Sequence, residues 1–212
     1  LLTSLILRQP SKIKKRMDAY MTVRENDELQ QAKTIVLNWQ QSIDSATEDD
    51  LLAGFAEYMA DNYLWRGMHP FHEQTGSDCV IDVFYRPFRR AFSAVQRRQD
   101  IFFAGRNQID DFNSVWVASM GHFIGLFDQP FIGIPPHQKI VMIRYAEFHK
   151  IEKNQISETT LFIDFLHLMA QVGLNPIMEQ KGIHLIQPGP QTHDGLLFKD
   201  HKSEVFKEQA IM

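Results

Sequence analysis

Two carboxyl groups and a phenol lie at matching positions in two apolar segments of the second half of the chain. The segments 139–151 (KIVMIRYAEFHKI) and 155–164 (QISETTLFID) are rich in β-branched and aromatic residues, which predicts two strands joined by a tight turn, EKNQ. Antiparallel pairing across that turn predicts a shared face that carries Val141, Ile143, Tyr145, Glu147, Thr160, Phe162 and Asp164. Such a face suits an organic ligand, because hydrocarbon supplies binding area while a few polar groups fix the orientation.

Asp164 and Glu147 are the candidate acid/base groups on this face. Burial among apolar side chains disfavours the charged form of a carboxyl, so we expect each pKa to rise toward the range in which a carboxyl exchanges protons near neutral pH. Asp164 also precedes the helical pattern FLHLMAQ (165–171), where it could serve as the N-cap and nothing more. Glu147 could instead pair with Lys150 or Arg144, or face solvent.

His122 is the third candidate, and it lies inside the apolar run NSVWVASMGHFIGLF (113–127). A buried imidazole needs a hydrogen-bond partner, and a carboxylate such as Asp164 or Glu147 would hold it ready to transfer protons. An Asp/His pair in an apolar cavity could remove a proton next to a carbonyl group. The alternative is a histidine that bonds a backbone carbonyl or packs between helices.

The elements that must position these residues form a helical first half and a strand-rich second half. Apolar spacing predicts helices over 27–43, from Thr47 to Met59 and from Ser77 to Val95, with a kink or break near Arg86 before Pro87. Strand-like segments follow at 100–106, 113–127, 139–151 and 155–164, and a short helix ends at Gly173. Helices first and strands later predict an α+β fold in which the helices cover one face of a curved antiparallel sheet.

Short motifs accompany this order of elements. GHFIG (121–125) is followed by GIPP (133–136), and QISETTLFID by LMAQVG (168–173). Together they resemble the SnoaL-like polyketide cyclases, which have the nuclear-transport-factor-2-like cone. PPHQK replaces the Thr-Gly turn of the family, and EKNQI replaces its Asp-Gly-Lys-Ile turn. The resemblance covers about residues 30–175. It implies a conical pocket for a hydrophobic organic molecule, with Asp164 at the position of the cyclases' acid/base aspartate.

The resemblance also points to ligand-contacting residues. In the family, the segment after the second helix borders the pocket mouth, and here it reads YLWRGMHPFHEQTG (63–76). The predicted substrate-binding residues are Tyr63, Trp65, His69, Trp116, Tyr145 and Phe162. If Trp116 and Phe162 filled the cone instead, the chain would have no pocket and its role would be structural. His69 and His72 have no third ligand at a known spacing, so we expect no metal. The sequence has no Walker or Gly-rich dinucleotide motif, so we expect no cofactor.

Composition narrows the possible partners. A formal net charge of −4 and a pI near 6.1 give no broad basic surface, so nucleic acid is not an expected partner. No apolar run reaches the roughly 18 residues that a membrane span needs. The single cysteine, Cys79, cannot form an internal disulfide, which agrees with a cytoplasmic location. LLTSLIL (1–7) precedes a basic cluster, the reverse of the charge order of a secretory leader.

These observations predict an N-terminal extension (1–26), a SnoaL-like domain (27–176) and a loop-rich C-terminal extension (177–212). The predicted function is cofactor-independent enolisation of a hydrophobic, polyketide-like carbonyl compound, as a cyclase or isomerase. Asp164 would be the acid/base, with His122 as its partner and Glu147 second. The alternative is a non-catalytic ligand-binding or interaction module of the same fold. Both sides of strand 113–127 are apolar, which predicts a homodimer through the outer face of the sheet.

Overall fold

The computed structural model describes residues 12–176, 192 and 195–198, and side chains from residue 26 onward. The helices are α1 (Lys12–Ser45), α2 (Leu51–Tyr58), α3 (Ser77–Val80), α4 (Arg86–Ala91) and α5 (Phe165–Gln171), with a π-helical segment at Ile81–Tyr85. The strands are β1 (Met59–Gly67), β2 (Glu73–Thr75), β3 (Phe92–Arg106), β4 (Val115–Phe127), β5 (Ile140–Glu152) and β6 (Gln155–Ile163). A 3₁₀ turn, Gln108–Asp110, lies between β3 and β4. The predicted helices and strands are therefore present, with shifted boundaries.

The helical first half differs from the prediction at two boundaries. The helix predicted over 27–43 is the second part of α1, which runs without interruption across the predicted domain boundary at residue 26. The helix predicted to reach Val95 ends at Ala91, and Val95 already belongs to β3. The hydrogen bonding of this helical stretch changes from π to α at Arg86, directly before Pro87. Pro87 lacks a backbone N–H, which is tolerated because it lies in the first turn of α4. Residues 1–11 and most of the C-terminal extension lie outside the described residues.

All six strands belong to one curved, unclosed sheet in the order β2-β1-β6-β5-β4-β3. The sheet is mixed rather than purely antiparallel, because β1 pairs with β6 in parallel while the other neighbours are antiparallel. The stretch predicted only as extended is thus a full strand of the sheet. Apart from this mixed pairing, the architecture is the predicted α+β cone.

A β-bulge in β6 overturns the predicted register of the last hairpin. Glu152 pairs with Gln155 as predicted, but Ser157 is an extra residue, and beyond it each β6 residue is shifted by one position. Because side chains alternate between the two faces of a strand, this shift moves Thr160 and Phe162 to the opposite face from the one predicted. Phe162 is 51% exposed.

Helices and aromatic side chains fill much of the concave side of the sheet, which we call the inner face. α1 crosses this face and buries Ala32, Val36, Trp39 and Ile43. The fully buried rings include Trp39, Phe55, Tyr63, Trp65, Phe84, Phe92 and Tyr145. In the part of the chain that the structure describes, no helix is long and apolar enough to span a membrane.

Candidate functional site

A charged cluster lies inside the cone, where three elements meet at Glu147. Glu147 projects from the inner face of β5 and is 1% exposed. Its Oε2 accepts a hydrogen bond of 2.6 Å from Arg97 Nη1 on β3 and one of 2.9 Å from Gln40 Nε2 on α1. The carboxylate therefore joins the first helix to two strands of the sheet.

The position of Arg97 depends on an irregularity in β3. The pairing of β3 with β4 shifts between Gln99 and Ile101, and there the backbone of β3 comes close to Gly121. A Cβ at Gly121 would lie 2.0 Å from the carbonyl oxygen of Arg98, so only glycine permits this approach. The guanidinium of Arg97 then lies 4.7 Å from the centre of the Phe123 ring, a cation–π distance.

Asp44 is the second carboxylate of the cluster, and it lies nearer the surface. Arg97 Nε donates to Asp44 Oδ2 over 2.8 Å, and Nη2 donates to Oδ1 over 3.2 Å, so the pair is bidentate. The side chain of Asp44 is 32% exposed, against 1% for Glu147. Of the two carboxylates that Arg97 pairs with, Asp44 is the one that a ligand can reach.

Neutral polar groups extend the cluster across the inner face. Gln99 Nε2 lies 2.7 Å from Gln40 Oε1 and 3.3 Å from Ser119 Oγ. Ser119 Oγ lies 3.1 Å from the hydroxyl of Tyr145. We call these connected residues the polar cluster: Gln40, Asp44, Arg97, Gln99, Ser119, Tyr145 and Glu147. Because its hydrogen bonds are continuous, each member restricts the orientation of its neighbours.

Burial and charge act in opposite directions on the ionisable groups of this cluster. Burial alone raises the pKa of Glu147, but the charge of Arg97, with His149 and Gln40, outweighs it and lowers the pKa to about 2. Burial raises the pKa of Tyr145 to about 12. Glu147 is thus an anion and Tyr145 a neutral phenol at neutral pH. The expectation that the pKa of Glu147 would rise was wrong, because its pairing with Arg97 could not be foreseen.

His149 lies deeper than Glu147 on the same strand and is fully buried. Its Nδ1 is 3.0 Å from Thr159 Oγ1, while its Nε2 is 3.7 Å from Glu147 Oε2, too far for a hydrogen bond. Within the described residues, the buried Tyr85 hydroxyl and the Trp39 indole nitrogen have no hydrogen-bond partner. A cavity of about 20 Å³ beside Tyr85 and Arg97 has room for one water molecule.

A cleft of about 760 Å³ opens onto the polar cluster between α1 and β3. Its lining consists of Leu37, Asn38, Gln40, Gln41, Asp44, Ser45, Arg97, Gln99 and Phe198. We call this space the α1–β3 cleft. Four carboxamide side chains, one guanidinium and one carboxylate line it, so it can bind a ligand that carries carbonyl or hydroxyl oxygens.

Asp164 occupies the N-cap of α5. Its Oδ1 accepts a hydrogen bond of 2.9 Å from the backbone N–H of His167, which is the capping arrangement that the sequence offered as an alternative. The hydrogen bonds and ion pairs of the described residues do not join Asp164 to Glu147 or to His122. Its acid/base role stays a prediction.

His122 lies on the outer, convex face of the sheet, away from Glu147. Its Nδ1 is 2.9 Å from Oδ2 of Asp100, a residue of the irregular part of β3. The imidazole therefore pairs with Asp100 rather than with Glu147 or Asp164 as predicted. A strand residue next to the inward-facing Gly121 and Phe123 points outward, which places His122 on the opposite face from Glu147.

The other predicted ligand contacts lie in four places, the last of which is the outer face of the sheet. Tyr145 is in the polar cluster, whereas Tyr63 and Trp65 are fully buried core residues rather than residues of a pocket mouth. His69 is exposed, with its ring 5.4 Å from that of His72. Among the described residues, no group of three or more His, Cys, Asp or Glu side chains could hold a metal ion.

Trp116 and Phe162 are on the outer face of the sheet rather than inside the cone. A hollow of about 380 Å³ on that face is lined by Phe103, Gly105, Arg106, Asn107, Trp116, Ala118, Phe148 and Thr160. The rings of Phe148 and Phe162 lie 6.3 Å apart beside it. The part of the outer face around this hollow is therefore largely apolar.

Sequence reasoning missed Arg97, Gln99, Gln40 and Asp44. One signal was available on α1, where Gln40 falls among the apolar residues Val36, Trp39 and Ile43 of the buried stripe. A polar residue at a buried position needs a partner, which would have predicted a polar contact inside the cone. The run QRRQD (96–100) gives no comparable signal, because exposed strands also carry such residues.

Solved structures of similar shape have low sequence identity to this chain. A candidate SnoaL-like polyketide cyclase from Jannaschia sp. CCS1 matches with a TM-score of 0.53 and 17% identity, over 69% of this chain and 94% of its own. AclR, a candidate hydroxylase from Streptomyces galilaeus, matches with a TM-score of 0.55 and 16% identity, over 70% and 84%. IdmH, a candidate polyketide cyclase from Streptomyces antibioticus, matches with a TM-score of 0.53 and 13% identity, over 66% and 97%. These likenesses show the fold alone.

The sequence itself carries the family relationship. No curated protein matches the chain significantly. The family model for SnoaL-like polyketide cyclase matches residues 37–172, which is more than half of the chain and includes the whole polar cluster. The chain therefore belongs to the SnoaL-like polyketide cyclase family.

Proposed function

We propose that the chain binds a hydrophobic carbonyl compound in the α1–β3 cleft and enolises it, as a cyclase or isomerase. The observation that carries the proposal is the bidentate pair of Asp44 and Arg97, which sets a reachable carboxylate beside a buried cation at the base of the cleft. Enolisation needs a base for the carbon-bound proton and a positive group for the developing oxyanion. This pair supplies both.

Asp44 would remove the proton from the carbon next to the carbonyl group. The electron pair of that C–H bond would form the carbon–carbon double bond of the enolate, and the carbonyl π electrons would move to oxygen. Arg97 would donate to this oxygen through the N–H groups of Nη1 and Nη2 that do not bond Glu147 and Asp44, and one such donor is worth on the order of 100-fold or more in rate. Return of the proton to another carbon gives isomerisation, and attack of the enolate carbon on a second carbonyl gives a ring.

The proposal gives the base role to Asp44 rather than Asp164. Asp44 lines the α1–β3 cleft beside Arg97, whereas Asp164 caps α5 and the described contacts connect it to no member of the polar cluster. Glu147 keeps Arg97 charged and in place, and the neutral phenol of Tyr145 orients Ser119 and through it Gln99. His122 has no part in this mechanism, since it lies on the outer face.

A non-catalytic ligand-binding module remains the second candidate. The bidentate pairing of Asp44 with Arg97 favours it, because both carboxylate oxygens of Asp44 already accept a hydrogen bond. Glu147, with its pKa near 2, does not exchange protons near neutral pH either. In that case the polar cluster would only orient the ligand, and Asp44 would be a hydrogen-bond acceptor.

Hydrogen–deuterium exchange distinguishes the two candidates. 2-Tetralone, an enolisable two-ring ketone, is incubated with the protein in D₂O, and loss of its α-proton signals is followed by NMR. The proposal predicts accelerated exchange that falls by on the order of 100-fold in Asp44→Asn and is unchanged in Asp49→Asn, an exposed carboxylate of the following loop. Binding without accelerated exchange would favour the ligand-binding module, and absence of binding would contradict both.

We also propose a homodimer through the outer face of the sheet, in the cytoplasm. Phe103 and Phe162 are 43% and 51% exposed beside the apolar hollow, and apolar surface of this kind is normally covered. Sedimentation at micromolar concentration should show a dimer that Phe162→Glu converts to a monomer. Leu52→Glu, an equally exposed position on α2, is the matched control and should leave the dimer intact. A monomeric wild-type protein would contradict this part of the proposal.

A further inference from the structure

A short C-terminal segment, Gly195 to Phe198, docks on the free edge of the sheet. β3 is the last strand in the sheet order. The backbone N–H of Phe102 donates to the carbonyl of Gly195 over 2.8 Å, and the N–H of Leu197 donates to the carbonyl of Phe102 over 2.6 Å. The segment therefore adds a parallel bridge to an edge that would otherwise be open.

Side chains of the segment alternate between the protein and the solvent. Leu196 and Phe198 pack against the hydrophobic core, while Leu197 is 41% exposed. The ring of Phe198 lies 5.2 Å from that of Phe102. The backbone carbonyl of Phe198 accepts a hydrogen bond of 2.9 Å from Gln30 Nε2 on α1. Phe198 is thus fixed from both sides of the cleft, by the strand and by the helix.

Phe198 forms an apolar wall in a cleft that is otherwise mostly polar. Among the nine described residues that line it, only Leu37 and Phe198 are apolar. The wall comes from outside the region that defines the family, because the family model ends at residue 172. A protein with the family domain alone would lack this wall, and its cleft would be more open on that side.

We propose that Phe198 is a specificity-determining residue of the α1–β3 cleft. Its ring packs against the apolar body of the ligand while the polar cluster binds the oxygen atoms, and its bulk limits how large that body can be. The ligand class that fits is a carbonyl compound with a flat apolar portion, against which the ring of Phe198 can pack. This inference rests on the proposed function, since it requires that the cleft is where the ligand binds.

The test compares two ketones of different size on three variants of the full chain. Dissociation constants for 2-tetralone (two rings) and anthrone (three rings) are measured with the wild type, Phe198→Ala and Leu197→Ala. Phe198→Ala should weaken 2-tetralone binding by on the order of 10-fold, because apolar contact is lost, and should favour anthrone relative to the wild type. Leu197→Ala, the exposed neighbour, should leave both constants unchanged.

A second variant controls for undocking of the segment 195–198 in Phe198→Ala. Phe198→Leu keeps apolar packing on Phe102 but shortens the wall, so it should shift the preference toward anthrone by less than Phe198→Ala does. If both Phe198 variants keep the wild-type preference while 2-tetralone still binds, the inference is wrong and the proposed function stands. If the wild type binds neither ketone, the proposed function falls and the inference falls with it.

Discussion

Arg97 Nη1 donates a hydrogen bond of 2.6 Å to Glu147 Oε2, and both side chains are almost completely removed from solvent, at 6% and 1% exposure. A buried pair of this kind contributes little net stability, because desolvation offsets the attraction between the charges. Its consequence is geometric. Glu147 holds the guanidinium so that its other edge is presented to Asp44 at the base of the α1–β3 cleft.

Removing one partner of this pair should be costly. Arg97→Met leaves Glu147 as a buried charge without its cation, and we expect the free energy of unfolding to fall by about 3–5 kcal/mol in urea titrations. The double variant Arg97→Met/Glu147→Met should cost less than Arg97→Met alone. Arg90→Met, which breaks the exposed pair with Glu48, is the control and should cost less than about 1 kcal/mol. If Arg97→Met and Arg90→Met lowered the free energy of unfolding by similar amounts, the result would contradict a buried Arg97–Glu147 pair.

The low pKa of Glu147 predicts acid sensitivity. In the unfolded chain this carboxyl takes up a proton near pH 4.5, whereas in the folded protein it stays ionised down to about pH 2. Relative to its protonated form, ionised Glu147 therefore stabilises the folded state by about 3 kcal/mol above pH 4.5, and this contribution is lost as the pH falls from about 4.5 to 2. Unfolding free energies measured against pH should fall less steeply in Glu147→Gln than in the wild type. Parallel curves would show that the carboxyl is not so perturbed.

The bulge at Ser157 predicts that substitutions at two neighbouring residues lower the stability by very different amounts. Leu161 is 2% exposed on the inner face, and Phe162 is 51% exposed on the outer face. Leu161→Ala should lower the free energy of unfolding by about 2–5 kcal/mol. Phe162→Ala should cost less than about 1 kcal/mol, measured at high dilution so that association does not contribute. The unbulged register requires the reverse order, so the comparison decides between them.

Asp164 offers a test that separates its capping role from its predicted chemistry. Asp164→Ala removes the acceptor for the N–H of His167 and should cost about 0.5–2 kcal/mol, whereas Asp164→Ser retains a capping oxygen and should cost little. In both variants, the folded protein should exchange the α-protons of 2-tetralone at the wild-type rate. A stable Asp164→Ser protein that has lost deuterium exchange would return the base role to Asp164.

The sequence was sufficient to predict most elements of this fold in their order, but not the strands β1 and β2. Helical spacing on α1 and β-branched runs in β4, β5 and β6 are local signals, and each produced the predicted element. The turn was also readable, since Lys153 and Asn154 have the left-handed backbone that the EKNQ turn requires. Each of these patterns depends only on which residues of one helix, strand or turn are buried or need a special backbone conformation.

The site could not be predicted in the same way, because it depends on two irregularities in strand pairing. The bulge at Ser157 reversed the faces of Thr160 and Phe162, and the shift near Gln99 turned Arg97 inward toward Glu147. A bulge adds one residue without changing the strand-like composition, so an alternating pattern cannot reveal it. Contacts across α1, β3 and β5 join residues far apart in sequence, and no local spacing encodes them.

Ligand-induced NMR shifts test most directly whether the α1–β3 cleft is the binding site. 2-Tetralone is titrated into the labelled protein while the Nε–H signal of Arg97, the side-chain amides of Gln40 and Gln99, and the indole N–H of Trp116 are followed. Trp116 lines the hollow on the outer face, so it reports binding on the wrong side of the sheet. We predict saturable shifts of Arg97, Gln40 and Gln99 with Trp116 unchanged, whereas shifts confined to Trp116 would contradict the site described above.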